Sequence, residues 1–232
     1  VVVVHSFVGA RHEHMSERHD VLIVGGGLVG ATLAIDLDRL GRDVGLLEDS
    51  PAGEVTALGT GVTQLAVGGR VMGRCPGAFA EYALMDAREA IPVPERLSWD
   101  EAAAVPLAFM VVHDMLIAQG RLARDEWLLV TGISSGVGVA ALQTAKMLGA
   151  KVIGTSGSTQ KLATLKPLGL DLGLHTRAGD FSPAVLQATG GRGANLAVNT
   201  VGGSVFPEIV RSLAFEGRVA IVGYVDGELK AE

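Results

Sequence analysis

An α/β chain built on a doubly wound parallel sheet is the fold class this sequence predicts, and three observations carry the prediction. Short β-branched runs alternate with helical apolar spacing through the second half of the chain. Glycine-rich turns follow strands at Gly25-Gly26-Gly27-Leu28-Val29-Gly30 and again at Gly132-Ile133-Ser134-Ser135-Gly136-Val137-Gly138. The composition, 48% hydrophobic with 32 glycines in 232 residues, suits a folded, turn-rich protein with a real core.

Taken in order, residues 1–19 read as a tail. Val1 to Val4 lack the basic region and long apolar core of a secretory signal, and Met15 reads as a natural start, leaving residues 1–14 as tag, linker or read-through. Val21-Leu22-Ile23-Val24, the glycine turn, a helix over 31–40 and Val44-Gly45-Leu46-Leu47 make one β-α-β unit within residues 20–50. From Pro51 to Asp86 the pattern changes to short alternating strands, including 53–58 and 78–83, which suggest a small antiparallel barrel or sandwich within 51–105. Ser98 ahead of Trp99-Asp100-Glu101 forms a capping box, and Pro106 suits a helix start, so 98–120 should hold helices joined near the proline. Strands are expected near 127–131, 151–155, 172–175, 195–199 and 218–222, with helices between, as a dinucleotide-binding domain over 106–232.

Charge and cysteine usage exclude several functions. The formal net charge is -6, and no Lys/Arg block offers a stripe for nucleic acid. Cys75, the single cysteine, excludes an internal disulfide and a cysteine-rich zinc site, and a reducing, cytoplasmic compartment fits best. The apolar run 102–118 holds Pro106, His113 and Asp114, and reads as too short and too polar for a membrane span. His5, His12, His14 and His19 fall where no ordered element is signalled, so incidental histidines are favoured over a metal site; His113 is read as packed. Ser134 and Ser135 lack the nucleophile-elbow pattern.

The second glycine loop follows a strand, opens a helix over 139–148, and is succeeded by Lys151-Val152-Ile153-Gly154-Thr155 as the second strand of a Rossmann unit. Gly136 and Gly138 let backbone amides approach a pyrophosphate, with the positive end of the helix aimed at it. After the second strand comes Ser156-Gly157-Ser158-Thr159-Gln160-Lys161, with no carboxylate to hold a free ribose diol. Hydroxyls and a lysine suit the 2′-phosphate of NADPH, and a carboxylate would repel it. Ser158 also fits as a helix cap and Lys161 as a solvated helix charge, and both roles are compatible with phosphate binding. In the first unit Gly25, Gly27 and Gly30 precede Glu48, which could hold ribose hydroxyls in an FAD or NAD site. The pattern stops directly afterwards, so a structural remnant or fused segment is favoured over functional FAD.

Residues 53–228 resemble the medium-chain dehydrogenase/reductase superfamily, in its zinc-independent quinone oxidoreductase and enoyl reductase branch. The resemblance rests on Gly53-Glu54-Val55, Gly59-x-Gly61-Val62-Thr63, Gly68-Gly69-Arg70-Val71, Gly77 to Tyr82, Ala102 to Leu107, Val130 to Gly132 with Ser135 to Gly138, Gln143-x-Ala145-Lys146, Asn199-x-Val201-Gly202-Gly203 and Gly217 to Gly223. It implies a Rossmann-type sheet beside a partial GroES-like β-barrel segment. It also implies pyrophosphate contacts from Ser134, Ser135, Gly136, Val137 and Gly138, with 2′-phosphate contacts from Ser156, Gly157, Ser158 and Lys161. His175 or Thr176 would lie near the adenine, and Asn199, Val201, Gly223 and Tyr224 on the nicotinamide side. Gly69 and Asn199 stand where the family usually has aspartate, and Val111 where it usually has threonine. The family's first barrel strands should precede Gly53 and a further stretch should follow Glu232, while residues 20–48 resemble the start of FAD-dependent aromatic monooxygenases. The chain thus reads as a short flavoprotein head fused to a reductase.

The implied activity is zinc-independent hydride transfer from NADPH to a small-molecule electron acceptor, a quinone or an α,β-unsaturated carbonyl, with no metal ligand and no catalytic side chain assigned. An FAD-dependent monooxygenase and a non-catalytic dinucleotide-binding fragment are the alternatives. Neither nucleic acid nor membrane is an expected partner, and the sheet edge after Val222 needs a cover that a homodimer would supply.

Overall fold

The computed structural model describes residues 2–6, 21–24, 44–47, 52–75, 82–176 and 179–223. The chain divides into two compact units, Val1–Ala108 and Phe109–Glu232.

In the first unit five antiparallel strands form one sheet: β1 (Val2–Ser6), β4 (Ala52–Leu58), β5 (Arg70–Met72), β6 (Tyr82–Met85) and β7 (Ile91–Pro92), in the order β6-β1-β4-β5-β7. The expectation that residues 1–19 form a tail is corrected here for Val2–Ser6, which pairs with β4 on one side and β6 on the other. The reason is local chemistry: valines favour a pleated, half-buried surface, and period-two alternation sends Val2 and Val4 into the core. Val2 stands opposite Met85 and Val4 opposite Val55, and all four belong to one apolar cluster with Val71. A separate parallel pair, β2 (Val21–Val24) with β3 (Val44–Leu47), matches the strands expected of the first β-α-β unit. Gly25, Gly27, Gly30, Glu48 and the expected helix over 31–40 lie outside the described residues.

Helix α1 (Trp99–Ala104) starts on the expected capping box: Ser98 Oγ accepts from the Glu101 amide at 3.2 Å, and the Ser98 amide donates to Glu101 Oε2 at 2.9 Å. Ala102 and Ala103 pack with Ala52, Met72 and Val93. Helix α2 (Pro106–Val112) continues into a π-helical stretch, His113–Gln119. The helical path Trp99–Gln119 therefore runs 21 residues at a mean hydropathy of 1.6, long and apolar enough to cross a membrane by length and composition. That corrects the expectation of a run too short and too polar, since Pro106 falls at a helix start, where its missing amide costs no hydrogen bond. Its apolarity also serves packing, because Ala102, Val112 and Leu116 are fully buried.

The second unit is a parallel five-stranded sheet, β8 (Trp127–Thr131), β9 (Lys151–Ser156), β10 (Leu172–His175), β11 (Ala194–Asn199) and β12 (Leu213–Ile221), in the order β10-β9-β8-β11-β12. Helices α3 (Gly136–Met147), α4 (Thr159–Leu165), α5 (Ser182–Ala188) and α6 (Phe206–Ser212) alternate with the strands, as a Rossmann-type doubly wound sheet requires. Leu129 and Ile153 face α5 and α6 through Phe181, Val185, Val205 and Ile209. Leu128, Val130 and Val152 alternate to the opposite face, and helix α3 packs on β8 and β9. The last strand begins earlier than expected, at Leu213, and its register slips between Ala194↔Leu213 and Leu196↔Arg218. Glu216 has φ 58 there, and Gly193 sits so close that a Cβ would stand 2.4 Å from the Leu213 carbonyl carbon.

Candidate functional site

Because all five strands of the second unit run parallel, their C-terminal ends lie along one edge. The strand order reverses between β8 and β11, the topological switch point at which open α/β sheets form a ligand crevice.

At that point β8 passes into the loop Gly132–Ser135 and then α3. Gly132 has φ 67, a left-handed conformation, and its amide donates to Thr155 Oγ1 at 3.2 Å. Ser135 is the N-cap, its Oγ accepting from the Gly138 amide at 3.1 Å. A Cβ on Gly138 would lie 2.5 Å from the Ile133 carbonyl oxygen and 2.6 Å from that of Gly132, so the helix meets its own loop at a distance only glycine permits. Gly154 performs the matching service from β9, since its Cβ would strike the Ile133 side chain at 2.6 Å. Together these contacts fix the first turn of a twelve-residue helix, with Gly136 and Val137 opening it.

Next to this turn the hydroxyls gather. Ser134 Oγ and Ser156 Oγ are 3.0 Å apart, and the Ser158 amide donates to Ser156 Oγ at 3.3 Å. Ser158 is also a helix cap, accepting from the Lys161 amide at 3.3 Å, and the Gly157 carbonyl accepts from His175 Nε2 at 3.2 Å. The Thr176 amide donates to the Ser156 carbonyl at 3.0 Å, and its hydroxyl donates to the Gly179 carbonyl at 3.2 Å. Ser134, Ser156, Gly157, Ser158 and Thr176 are thus brought together, while Lys161 stands exposed on the first turn of α4.

On the other side of the switch point Asn199 ends β11 with its side chain turned inward, 1% exposed. Its Oδ1 accepts from Thr131 Oγ1, the Val201 amide and the Gly202 amide, each at 3.1 Å, and its Nδ2 donates to the Gly202 carbonyl at 2.9 Å. Its carbonyl accepts the Val222 amide at 2.9 Å and the Gly223 amide at 3.4 Å, which ties Gly223 and Val201 into the same corner. Tyr224 lies outside the described residues.

Three residues that sequence reasoning did not single out support this edge. Thr131 and Thr200 clasp β8 to β11, the Thr200 hydroxyl donating to the Thr131 carbonyl at 2.7 Å. Glu208, buried on α6, accepts the Ser182 amide at 2.9 Å and pairs with Arg211 at 2.6 Å. The Ser182 hydrogen bond is the main reason its carboxyl is held below the ordinary value, with Arg211 helping. Through Ser182 it holds the segment after β10. The i,i+3 spacing of Glu208 and Arg211 was the only trace of this in sequence.

Comparison with known proteins bears on this geometry. A family model described as alcohol dehydrogenase GroES-like domain matches residues 46–95, and one described as zinc-binding dehydrogenase matches residues 136–232. Quinone oxidoreductase-like protein 2 of Bos taurus is 33% identical over 181 residues, 77% of this chain and 52% of its own length. The chain belongs to the medium-chain dehydrogenase/reductase superfamily. Among solved structures of this superfamily fold, the CurK enoyl reductase superposes with TM-score 0.73 at 27% identity, over 77% of this chain and 54% of that one. The mycobacterial Rv1454c, solved complexed with NADPH, gives TM-score 0.71 at 30% identity, over 79% and 58%. The chain spans about half the length of these proteins, and 8% of a Mycobacterium tuberculosis polyketide synthase subunit to which it is 34% identical. Flavin finds no support among them. Among the described residues of this medium-chain dehydrogenase/reductase, no three His, Cys, Asp or Glu side chains come together in a metal-holding group. Cys75 is half-buried, and burial pushes its thiol up from the ordinary value.

Proposed function

We propose that the chain is an oxidoreductase that moves hydride from NADPH to an electron-poor small molecule, an α,β-unsaturated carbonyl or a quinone, without a protein metal. The observation that carries this is the hydroxyl cluster of Ser134, Ser156 and Ser158 beside the Ser135-capped helix at the switch point, with no carboxylate among them. The tight turn at Gly138 fits a pyrophosphate, because it leaves backbone rather than side chain at the start of α3. Ser134, Ser135, Gly136, Val137 and Gly138 would hold the pyrophosphate, Ser156, Gly157, Ser158 and Lys161 the 2′-phosphate, and Thr176 the adenine side. Asn199, Val201 and Gly223 would line the nicotinamide side. NADPH supplies the hydride when bound; the protein's part is to orient it against the acceptor.

The names of the relatives favour both acceptor classes, enoyl reductase in one case and quinone oxidoreductase-like in the other. A soluble, cytoplasmic setting and a homodimer belong to the same proposal. Titration of the purified chain with NADPH and NADH, followed by turnover with a quinone and with an enoyl thioester, tests it. Lys161→Ala is expected to raise the Kd for NADPH by about tenfold, the loss of one charge-assisted phosphate contact, and to leave that for NADH unchanged. Equal effects on both cofactors would remove the 2′-phosphate assignment.

A further inference from the structure

We infer that Asn199 builds the turn on the nicotinamide side while withholding a negative charge from it, so that the site does not favour oxidised over reduced cofactor. The inference deepens the cofactor assignment above and rests on it. In an open α/β sheet the pyrophosphate sits at the switch point and the adenosine half lies over the second strand, so the other half of a dinucleotide crosses to the strands beyond the reversal. In this chain those strands are β11 and β12, and the side chain at the end of β11 is Asn199.

The surroundings of that side chain leave it no freedom. Two backbone amides, of Val201 and Gly202, require an acceptor at Oδ1, and the Gly202 carbonyl requires a donor at Nδ2, so the oxygen and nitrogen ends are fixed by the backbone. These four side-chain partners are all neutral: the Thr131 hydroxyl, two amides and one carbonyl. A carboxylate in this place would keep the three bonds to Oδ1 and exchange the fourth for a negative charge against the Gly202 carbonyl. The oxidised nicotinamide ring is a cation and the reduced ring is neutral. A buried carboxylate at this corner would therefore favour NADP⁺ over NADPH, and the amide does not.

The test is the ratio of the Kd for NADP⁺ to the Kd for NADPH, measured by calorimetry on the full chain at low salt. Asn199→Asp is expected to lower that ratio on the order of fivefold, the effect of one unit charge across a partly solvated cleft. Val201→Asp brings the same charge to the same turn and keeps the backbone amide that donates to Asn199 Oδ1, at a half-buried position packed on the apolar cluster, and it is expected to shift the ratio in the same direction. Thr131→Val removes a neutral donor, and it should change both constants by the same factor. If Asn199→Asp and Val201→Asp bind both cofactor forms with the ratio unmoved, or weaken both equally, the inference fails while the cofactor assignment stands. If the wild-type chain binds neither form, the cofactor assignment fails and takes the inference with it.

Discussion

The two five-stranded sheets of this chain are built by opposite rules, and the difference explains why the candidate site belongs to one of them. In the antiparallel sheet neighbouring strands end on opposite edges, and its interior strand β1 is separated in sequence from its partners β4 and β6 by the parallel pair β2 and β3. In the parallel sheet every strand ends on the same edge, so five successive loops deliver Gly132–Ser135, Ser156–Ser158, Thr176, Asn199–Gly202 and Gly223 to one line. Parallel topology gathers function that antiparallel topology scatters.

The largest expected effect breaks the antiparallel sheet at β1, the interior strand that joins β6 to β4. Val4→Asp would place a carboxylate in a fully buried slot opposite Val55, at a cost of more than about 3 kcal/mol. Urea denaturation reads it, and a loss below about 1 kcal/mol would show that β1 is dispensable to the sheet. Next comes the parallel sheet's crossing point. Gly138→Ala should cost about 2 kcal/mol or more, since the added methyl meets two carbonyl oxygens rather than flexible side chains. Thermal melting alongside NADPH titration checks it, and an unaltered melting temperature would mean that the turn relaxes freely.

The smallest effect sharpens the comparison through pH. Glu208 is held below its ordinary value in the folded chain, so its contribution is present above about pH 4.3 and is lost as pH falls through the lower, folded value. Glu208→Gln should therefore be about 1.5 kcal/mol less stable than wild type at pH 7, with the gap closing below about pH 4. A gap that stays constant through that window would remove the charge from the explanation.

The parallel sheet was largely legible in sequence because its signals are local. Each of β8, β9, β10 and β11 is followed by its own turn and helix, and Gly132, Gly138 and Ser135 announce the crossing point without reference to distant residues. What was not legible depends on pairing at a distance. Val2–Ser6 carries valines and nothing that names β4 or β6 as partners, so it read as a tail. Asn199 was read as lining the nicotinamide side, but its inward orientation depends on Thr131, a residue 68 positions earlier. The early start of β12 at Leu213 was missed for a similar reason, since the slip in register is made by Gly193 across the strand.

The interior place of β1, between β6 and β4, also bears on how the chain reaches its fold. During synthesis Val2–Val4 emerges before either neighbouring strand exists, and its last partner, β6, is not complete until Met85 has been made. Until β4 is made an uncharged, β-branched segment presents open backbone on both sides, and until β6 is made on one, the kind of template that recruits strands from other molecules. Yield from a cell should therefore depend on translation speed and chaperone supply more than on the stability of the finished sheet.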